Sequence, residues 1–160
     1  MSESVERARR AALKMLERRA YSAHELQQRL VRRGHEASAS EEGVRALVRA
    51  GVVDDRALGE SVVRSELARA PAGRALLEMK LVKRGIEREL AAAIVQEALE
   101  ARTTDEDAAE VARRHLKSLA PTLGLDAVRR RLYGKLSRRG FSPEVARAAV
   151  ERVTREMSID

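Results

Sequence analysis

Leu30-Val31-Arg32-Arg33-Gly34 is an ending that this chain writes three times, returning as Leu81-Val82-Lys83-Arg84-Gly85 and as Leu136-Ser137-Arg138-Arg139-Gly140. The three glycines lie 51 and 55 residues apart, which leaves room in each unit for about three short helices rather than the two of common solenoid repeats. The sequence therefore reads as an internal repeat, all-α, with units over residues 1–52, 53–102 and 103–160.

Each ending also has a meaning of its own. Glycine just past a helix adopts the left-handed conformation at little cost and closes a Schellman turn over the last carbonyls. That turn favours an apolar contact across it, and Ile86 with Leu81 and Phe141 with Leu136 supply one, with His35 and Leu30 as a weaker copy. Leu26, Leu77 and Leu132 stand one turn earlier, so Leu-x3-Leu-x3-Gly lines one helical face in every unit.

Between these endings, apolar residues recur at spacings of three and four while Gly and Pro are scarce, which predicts helix nearly throughout and no strand. In the first unit the spacing predicts a helix over 5–19, then one opened by the capping box Ser22-Ala23-His24-Glu25 and running to Arg33. A loop containing Ala37-Ser38-Ala39-Ser40 is expected next, with Ser40 capping a third helix that stops at Gly51. The second unit is expected to hold helices near 55–68, 72–84 and 87–102, with Asp54 and Asp55 at the first N-terminus. In the third, Thr104-Asp105-Glu106-Asp107 is expected to supply a cap and an acidic first turn for a helix that Pro121 and Gly124 close, and Ser142-Pro143-Glu144 opens the last.

The chain of 160 residues carries 32 Lys and Arg against 25 Asp and Glu, a formal charge of +7. This balance favours anionic partners. There is no cysteine, hence no disulfide framework and no thiolate metal site, as suits a reducing cytoplasm. The start Met1-Ser2-Glu3-Ser4 has no signal-peptide pattern, and the longest uncharged run, Ser118 to Leu125, is eight residues, against ~18 or more for a membrane span. A soluble protein is expected.

The cations repeat in register. Counting back from each glycine, position minus five is Arg29, Lys80 or Lys135, minus two is Arg32, Lys83 or Arg138, and minus one is Arg33, Arg84 or Arg139. Positions minus five and minus two share a helical face beside the leucines, and in the third unit Arg131, Lys135 and Arg138 extend it as an i, i+4, i+7 stripe. Cations in a last turn also offset the helix dipole without touching a partner, an explanation that weakens at minus five, more than a turn from the end.

Catalysis finds little support. His24, His35 and His115 are scattered, without metal-ligand spacing, and read as exposed helical residues; neither a metal nor a cofactor is expected. Gly134-Lys135 is followed by leucine and lies inside a helix, so it is no phosphate loop. The paired and tripled acids at 54–55 and 105–107 suit helix N-termini. With Tyr21, Tyr133 and Phe141 as the only aromatics, of which Tyr21 suits a hydrophobic staple and Phe141 a helix cap, stacking platforms for bases are lacking. Any contact with nucleic acid should run through phosphates and weaken with salt.

Several stretches resemble the RecX family, bacterial regulators of the RecA recombinase. Ala11 to Leu30, with Leu16-Glu17-Arg18-Arg19-Ala20-Tyr21-Ser22 and Glu25-Leu26, looks like its opening helix pair. Gly51-Val52-Val53-Asp54-Asp55 resembles its Gly, apolar, Asp-Asp junction, while Gly73 with Leu81 to Ile86, and Leu136 to Ser142, resemble its second and third signatures. The chain departs from the family habit in having Leu58, Val62 and Val63 where aromatics are common, and Lys80 where glutamate often stands. The resemblance implies an elongated, curved array of three tandem three-helix repeats, a non-enzymatic cytoplasmic monomer that lies in the groove of a RecA filament. It would limit filament growth and lower ATPase, strand-exchange and co-protease activity in recombination and SOS repair. The residues expected to face the partner are Arg29, Arg32, Arg33, Lys80, Lys83, Arg84, Arg131, Lys135, Arg138 and Arg139, against RecA or against the phosphates of single- or double-stranded DNA. The alternative is an independent, sequence-nonspecific DNA-binding helical-repeat protein.

Overall fold

A computed structural model describes residues 1–159, and these form nine helices and no strand. They are α1 (Glu3–Leu16), α2 (Ala23–Arg32), α3 (Ala37–Arg49), α4 (Asp55–Arg69), α5 (Arg74–Lys83), α6 (Arg88–Glu100), α7 (Thr104–Ser118), α8 (Leu125–Arg138) and α9 (Pro143–Met157). Consecutive triplets pack on themselves around three separate apolar cores. The solvent-accessible surface is 9963 Å², whereas a compact monomer of 17.8 kDa would expose about 8,000 Å². The array is accordingly elongated.

The repeated leucines are what each core is built on. Leu26, Leu30, Leu77, Leu81, Leu132 and Leu136 are at most 1% exposed, and the glycine after each pair stands at positive φ: 95° at Gly34, 82° at Gly85 and 87° at Gly140. The Schellman bonds from His35 to Leu30, Ile86 to Leu81 and Phe141 to Leu136 all measure 3.1 Å. Ile86 and Phe141 join the cores beneath their caps. The departures in α4 fit the same plan, with Leu58 and Val63 buried and Val62 packed against them, and Tyr133 packs on the third core.

The start of α3 corrects the expected loop. Helix runs from Ala37, directly after Gly34-His35-Glu36, and Ser40 lies fully buried in its second turn with its hydroxyl donating to the Glu36 carbonyl over 2.8 Å. Glu36 occupies the N-cap position without a side-chain bond. The small residues that suggest a loop serve close packing instead: a Cβ on Gly43 would stand 3.1 Å from the Arg9 nitrogen and 3.2 Å from the Val5 carbonyl of α1. The cap expected in α7 is displaced as well: Thr104 is its first helical residue and Thr103 holds the N-cap position without a side-chain bond, so the acids at 105–107 serve the first turn. Elsewhere the differences are of helix length; α1 stops at Leu16, and α7 stops at Ser118, ahead of Pro121.

Gly51-Val52-Val53-Asp54-Asp55 resolves into four separate duties. Gly51 closes α3 at φ 74°, Val53 fills the first core, Asp54 caps α4 by accepting from the Ala57 N–H at 3.0 Å, and Asp55 reaches back to accept from the Ala23 N–H of α2, also at 3.0 Å.

The caps differ in what surrounds them, and this yields a graded expectation. A Cβ on Gly34 meets nothing within 4 Å, whereas one on Gly140 overlaps the Leu76 backbone nitrogen and side chain. Gly34→Ala should cost about 1 kcal/mol, the strain of positive φ alone. Gly140→Ala should cost roughly 3 kcal/mol, because overlap is added to strain. Urea unfolding followed by helicity measures both.

Candidate docking surface at the module junctions

The ends of successive second helices meet. Twelve residues before Gly34 and Gly85 stand Ser22 and Gly73, the N-caps of α2 and α5. At the first junction Ser22 Oγ accepts from the Glu25 N–H at 3.1 Å, completing its capping box, and donates to the Arg84 carbonyl at 2.5 Å. At the second, the Gly73 N–H donates to the Arg139 carbonyl at 2.8 Å and the Ala75 N–H to the Gly140 carbonyl at 3.3 Å. At the second junction orphan N–H donors of one helix start thus satisfy orphan acceptors at the next module's helix end, and at the first the Ser22 hydroxyl plays the donor. Gly73 is glycine for want of space, since a Cβ there would overlap the Gly140 carbonyl.

An arginine clasps each contact from the side. Arg84 forks onto Glu25 at 3.1–3.2 Å and donates to the Ala20 carbonyl. Arg139 binds Glu66 at 2.8 Å and the carbonyls of Ala70 and Pro71 at 3.1–3.2 Å. Glu66, 5% exposed, also receives Lys80 Nζ at 3.1 Å. Burial works against its ionisation, but the hydrogen bonds and charges of Arg139 and Lys80 outweigh that, holding its pKa below 4.5. Glu25 shows the same balance, burial opposed by Arg84 and by the Ser22 N–H.

The ten residues expected at a partner surface fall into three groups. Arg84, Arg139 and Lys80 are engaged within the protein as just described. Arg29 is exposed and stacks its guanidinium 5.0 Å from the centre of the Tyr21 ring, which Arg19 covers at 4.5 Å. Arg32, Arg33, Lys83, Arg131 and Arg138 are exposed, and Lys135 half-buried, with no ion pair among the described residues. Arg33 is the minus-one residue of the first module, the counterpart of Arg84 and Arg139.

Two basic clefts open beside the junctions. One of about 700 Å³ lies between the first and second modules, with Arg19, Glu66, Lys80, Lys83 and Arg84 in its wall. The other, about 390 Å³, lies between the second and third, and Arg69, Arg114, His115, Ser118, Lys135 and Arg139 surround it. Arg69 borders both. His115 is half-buried rather than exposed, and its pKa is pushed below 6.5 by desolvation and then by Lys135, Arg138 and Arg131. Sequence reasoning missed Glu66, Arg69, Arg114 and His115, since none belongs to the repeated ending. The one signal was that a charge as regular as minus one invites a carboxylate partner elsewhere. Among the described residues no group of three His, Asp or Glu could hold a metal ion, and no helix is long and apolar enough to cross a membrane.

These features define a class: a tandem three-helix repeat protein whose modules are joined through helix ends and arginine clasps. Comparison with known proteins gives the family. Residues 8–42 match the model of the first three-helix domain of RecX, and residues 103–150 that of the third. Regulatory protein RecX of Pelodictyon phaeoclathratiforme is 33% identical over 139 residues, 87% of this chain and 84% of its own length. That of Halorhodospira halophila is 33% identical over 146 residues, covering 90% and 86%. The crystal structure of RecX from Lactobacillus salivarius superposes with a TM-score of 0.78 at 18% identity, over 96% of this chain and 99% of that one. A second, titled regulatory protein RecX, gives 0.79 at 17% identity, over 96% and 74%. The chain belongs to the RecX family.

Glu66→Ala should strand Arg139 and Lys80 at the second junction and cost about 3 kcal/mol, as loss of one partner from a buried pair does. Because folding lowers the pKa of Glu66 beneath 4.5, its contribution is complete above that value and falls away as pH drops below it. Acid titration of urea stability should show this loss in the wild type and a shallower one in the variant.

Proposed function

We propose that this protein is a non-enzymatic regulator that binds the RecA recombinase and its nucleoprotein filament, limits filament extension, and lowers ATPase, strand-exchange and co-protease activity in recombination and SOS repair. Its place of action is the cytoplasm and it works as a monomer. The observation that supports this most is membership of a family of regulatory proteins over nearly the whole chain. The in-register exposed cations give it a physical basis: Arg32, Lys83 and Arg138 hold one position in three successive modules. An elongated array can thereby present the same charge at intervals to a partner that is itself repetitive.

Internal pairing separates the ten cations as probes of docking. Lys80, Arg84 and Arg139 have their charge committed to Glu66 or Glu25, so reversing them damages junctions before it reports on a partner. Reversal of Lys80 in particular would set two carboxylates together. The cations without an internal carboxylate partner among the described residues, Arg29, Arg32, Arg33, Lys83, Arg131, Lys135 and Arg138, are the clean probes of docking.

Addition of the protein to RecA on single-stranded DNA should depress ATP hydrolysis, and no change at saturating protein would remove this reading. The triple variant Arg32→Glu, Lys83→Glu, Arg138→Glu should bind the filament about tenfold more weakly, as the loss of several exposed pairs implies. Its melting temperature should move little. The second reading, an independent DNA-binding protein, draws on α8, where Arg130, Arg131, Lys135 and Arg138 have no ion pair among the described residues. Tight DNA binding without any affinity for RecA would favour it.

A further inference from the structure

The cleft between the second and third modules holds charge that the fold does not use. No carboxylate lines it, and the acids at its margin are already engaged, Glu66 with Arg139 and Lys80, Glu110 with Arg114 at 2.5 Å. Lys135 lines the wall without an ion pair among the described residues, and Arg131 and Arg138 flank it on the same face of α8. These three advance about 10 Å along the helix from first to last. Across the cleft Arg69, at the end of α4, meets Glu66 only at 3.7 Å and leaves its side chain 78% exposed.

His115 sits in the midst of this. The charges that bear on its ring from α8 are those of Lys135, Arg138 and Arg131, and Lys135, Arg69 and Arg139 line the same cleft. From its own helix come Arg114 and the Ser118 hydroxyl, 3.3 Å from Nδ1. The charges of α9, Arg152 and Glu156, engage Glu106 and Arg113, and Arg113, two residues before His115, lies on the opposite side of α7. Nothing anionic therefore supports the imidazolium. Desolvation and the surrounding cations keep the ring neutral at neutral pH, and an anion entering the cleft reverses that balance.

We infer that this cleft seats a phosphodiester group of nucleic acid, with Lys135, Arg131 and Arg138 as permanent charges and His115 as a protonatable contact. Phosphate is favoured over the carboxylates of an acidic protein because no aromatic or apolar anchor other than Val111 and Ala70 lines the cleft, so charge alone is left to grip. The inference deepens the reading of a protein that works on a nucleoprotein filament, but it needs no recombinase for its test.

The test is binding of a fluorescent 20-nucleotide oligo-dT, followed by anisotropy at fixed ionic strength between about pH 8 and 5.5. Affinity should rise by up to about tenfold as pH falls, the coupling of one proton shifted by one unit. His115→Gln should flatten this rise, and at the acid end it should reduce the log–log salt slope by about 0.7, one single-strand phosphate, while leaving the alkaline slope alone. Lys135→Gln should reduce the slope at both ends. Helicity by circular dichroism verifies that the variants fold. In the wild type, NMR titration should place the His115 pKa higher with oligonucleotide than without. Binding that is indifferent to pH, a pH dependence that survives His115→Gln, or a His115 titration unmoved by oligonucleotide would each overturn the assignment. Equal, equally pH-dependent binding of poly-glutamate would reassign the cleft to an acidic protein. Loss of filament regulation with oligonucleotide binding intact would instead strike the function proposed above and spare this cleft.

Discussion

A helix ends with carbonyls that have no partner and begins with N–H groups in the same condition. In this protein the two deficits are set directly against each other at the second module boundary, and at the first the N-cap hydroxyl of Ser22 takes the place of the backbone donor. The carbonyls of Arg84, Arg139 and Gly140 are answered by Ser22, Gly73 and Ala75, and the glycine cap that exposes those carbonyls is the same one that turns the chain into the third helix of its unit. Dipoles of α8, α5 and α2 consequently meet positive end to negative end, an arrangement that is favourable at every step. The Arg84 and Arg139 clasps, the buried Glu66 and the glycine at residue 73 all exist to keep these ends together. With each core closed within its own triplet, the junctions hold the array in line.

How much of this the sequence disclosed depends on whether a residue acts inside its own module. The leucine pairs, the positive-φ glycines, the Ser22 capping box and the Ser142-Pro143 start are local, and their spacing announces them. Ser40 misled because a small polar residue is equally at home in a loop and in a tight helix contact, and only the approach of α1 to Gly43 decides between them. Arg84 and Arg139 were legible as recurrent cations but not as clasps, since Glu25 and Glu66 come from different helices and from unlike places in their units. No repeat register links those two carboxylates. His115 was invisible for a related reason: its environment is made by α8, and no property of α7 foretells it.

The same division sorts the surface. Cations with an internal partner stabilise the joints, and those without one face solvent in the same register from module to module. A regular charge that costs nothing in folding and satisfies nothing inside is available to a partner, and Arg32, Lys83 and Arg138 meet that description. Lys80 is explained by the company it keeps with Glu66.

Separate cores joined by polar contacts have a mechanical consequence. Bending one apolar core would open voids and is resisted steeply. The joints are made instead of hydrogen bonds and largely buried ion pairs, whose strength depends on direction and on protonation rather than on volume. Three links whose interiors are apolar thus meet at two joints whose interiors are polar, so acid, which neutralises Glu66 and Glu25, strikes the joints directly and the links only through them.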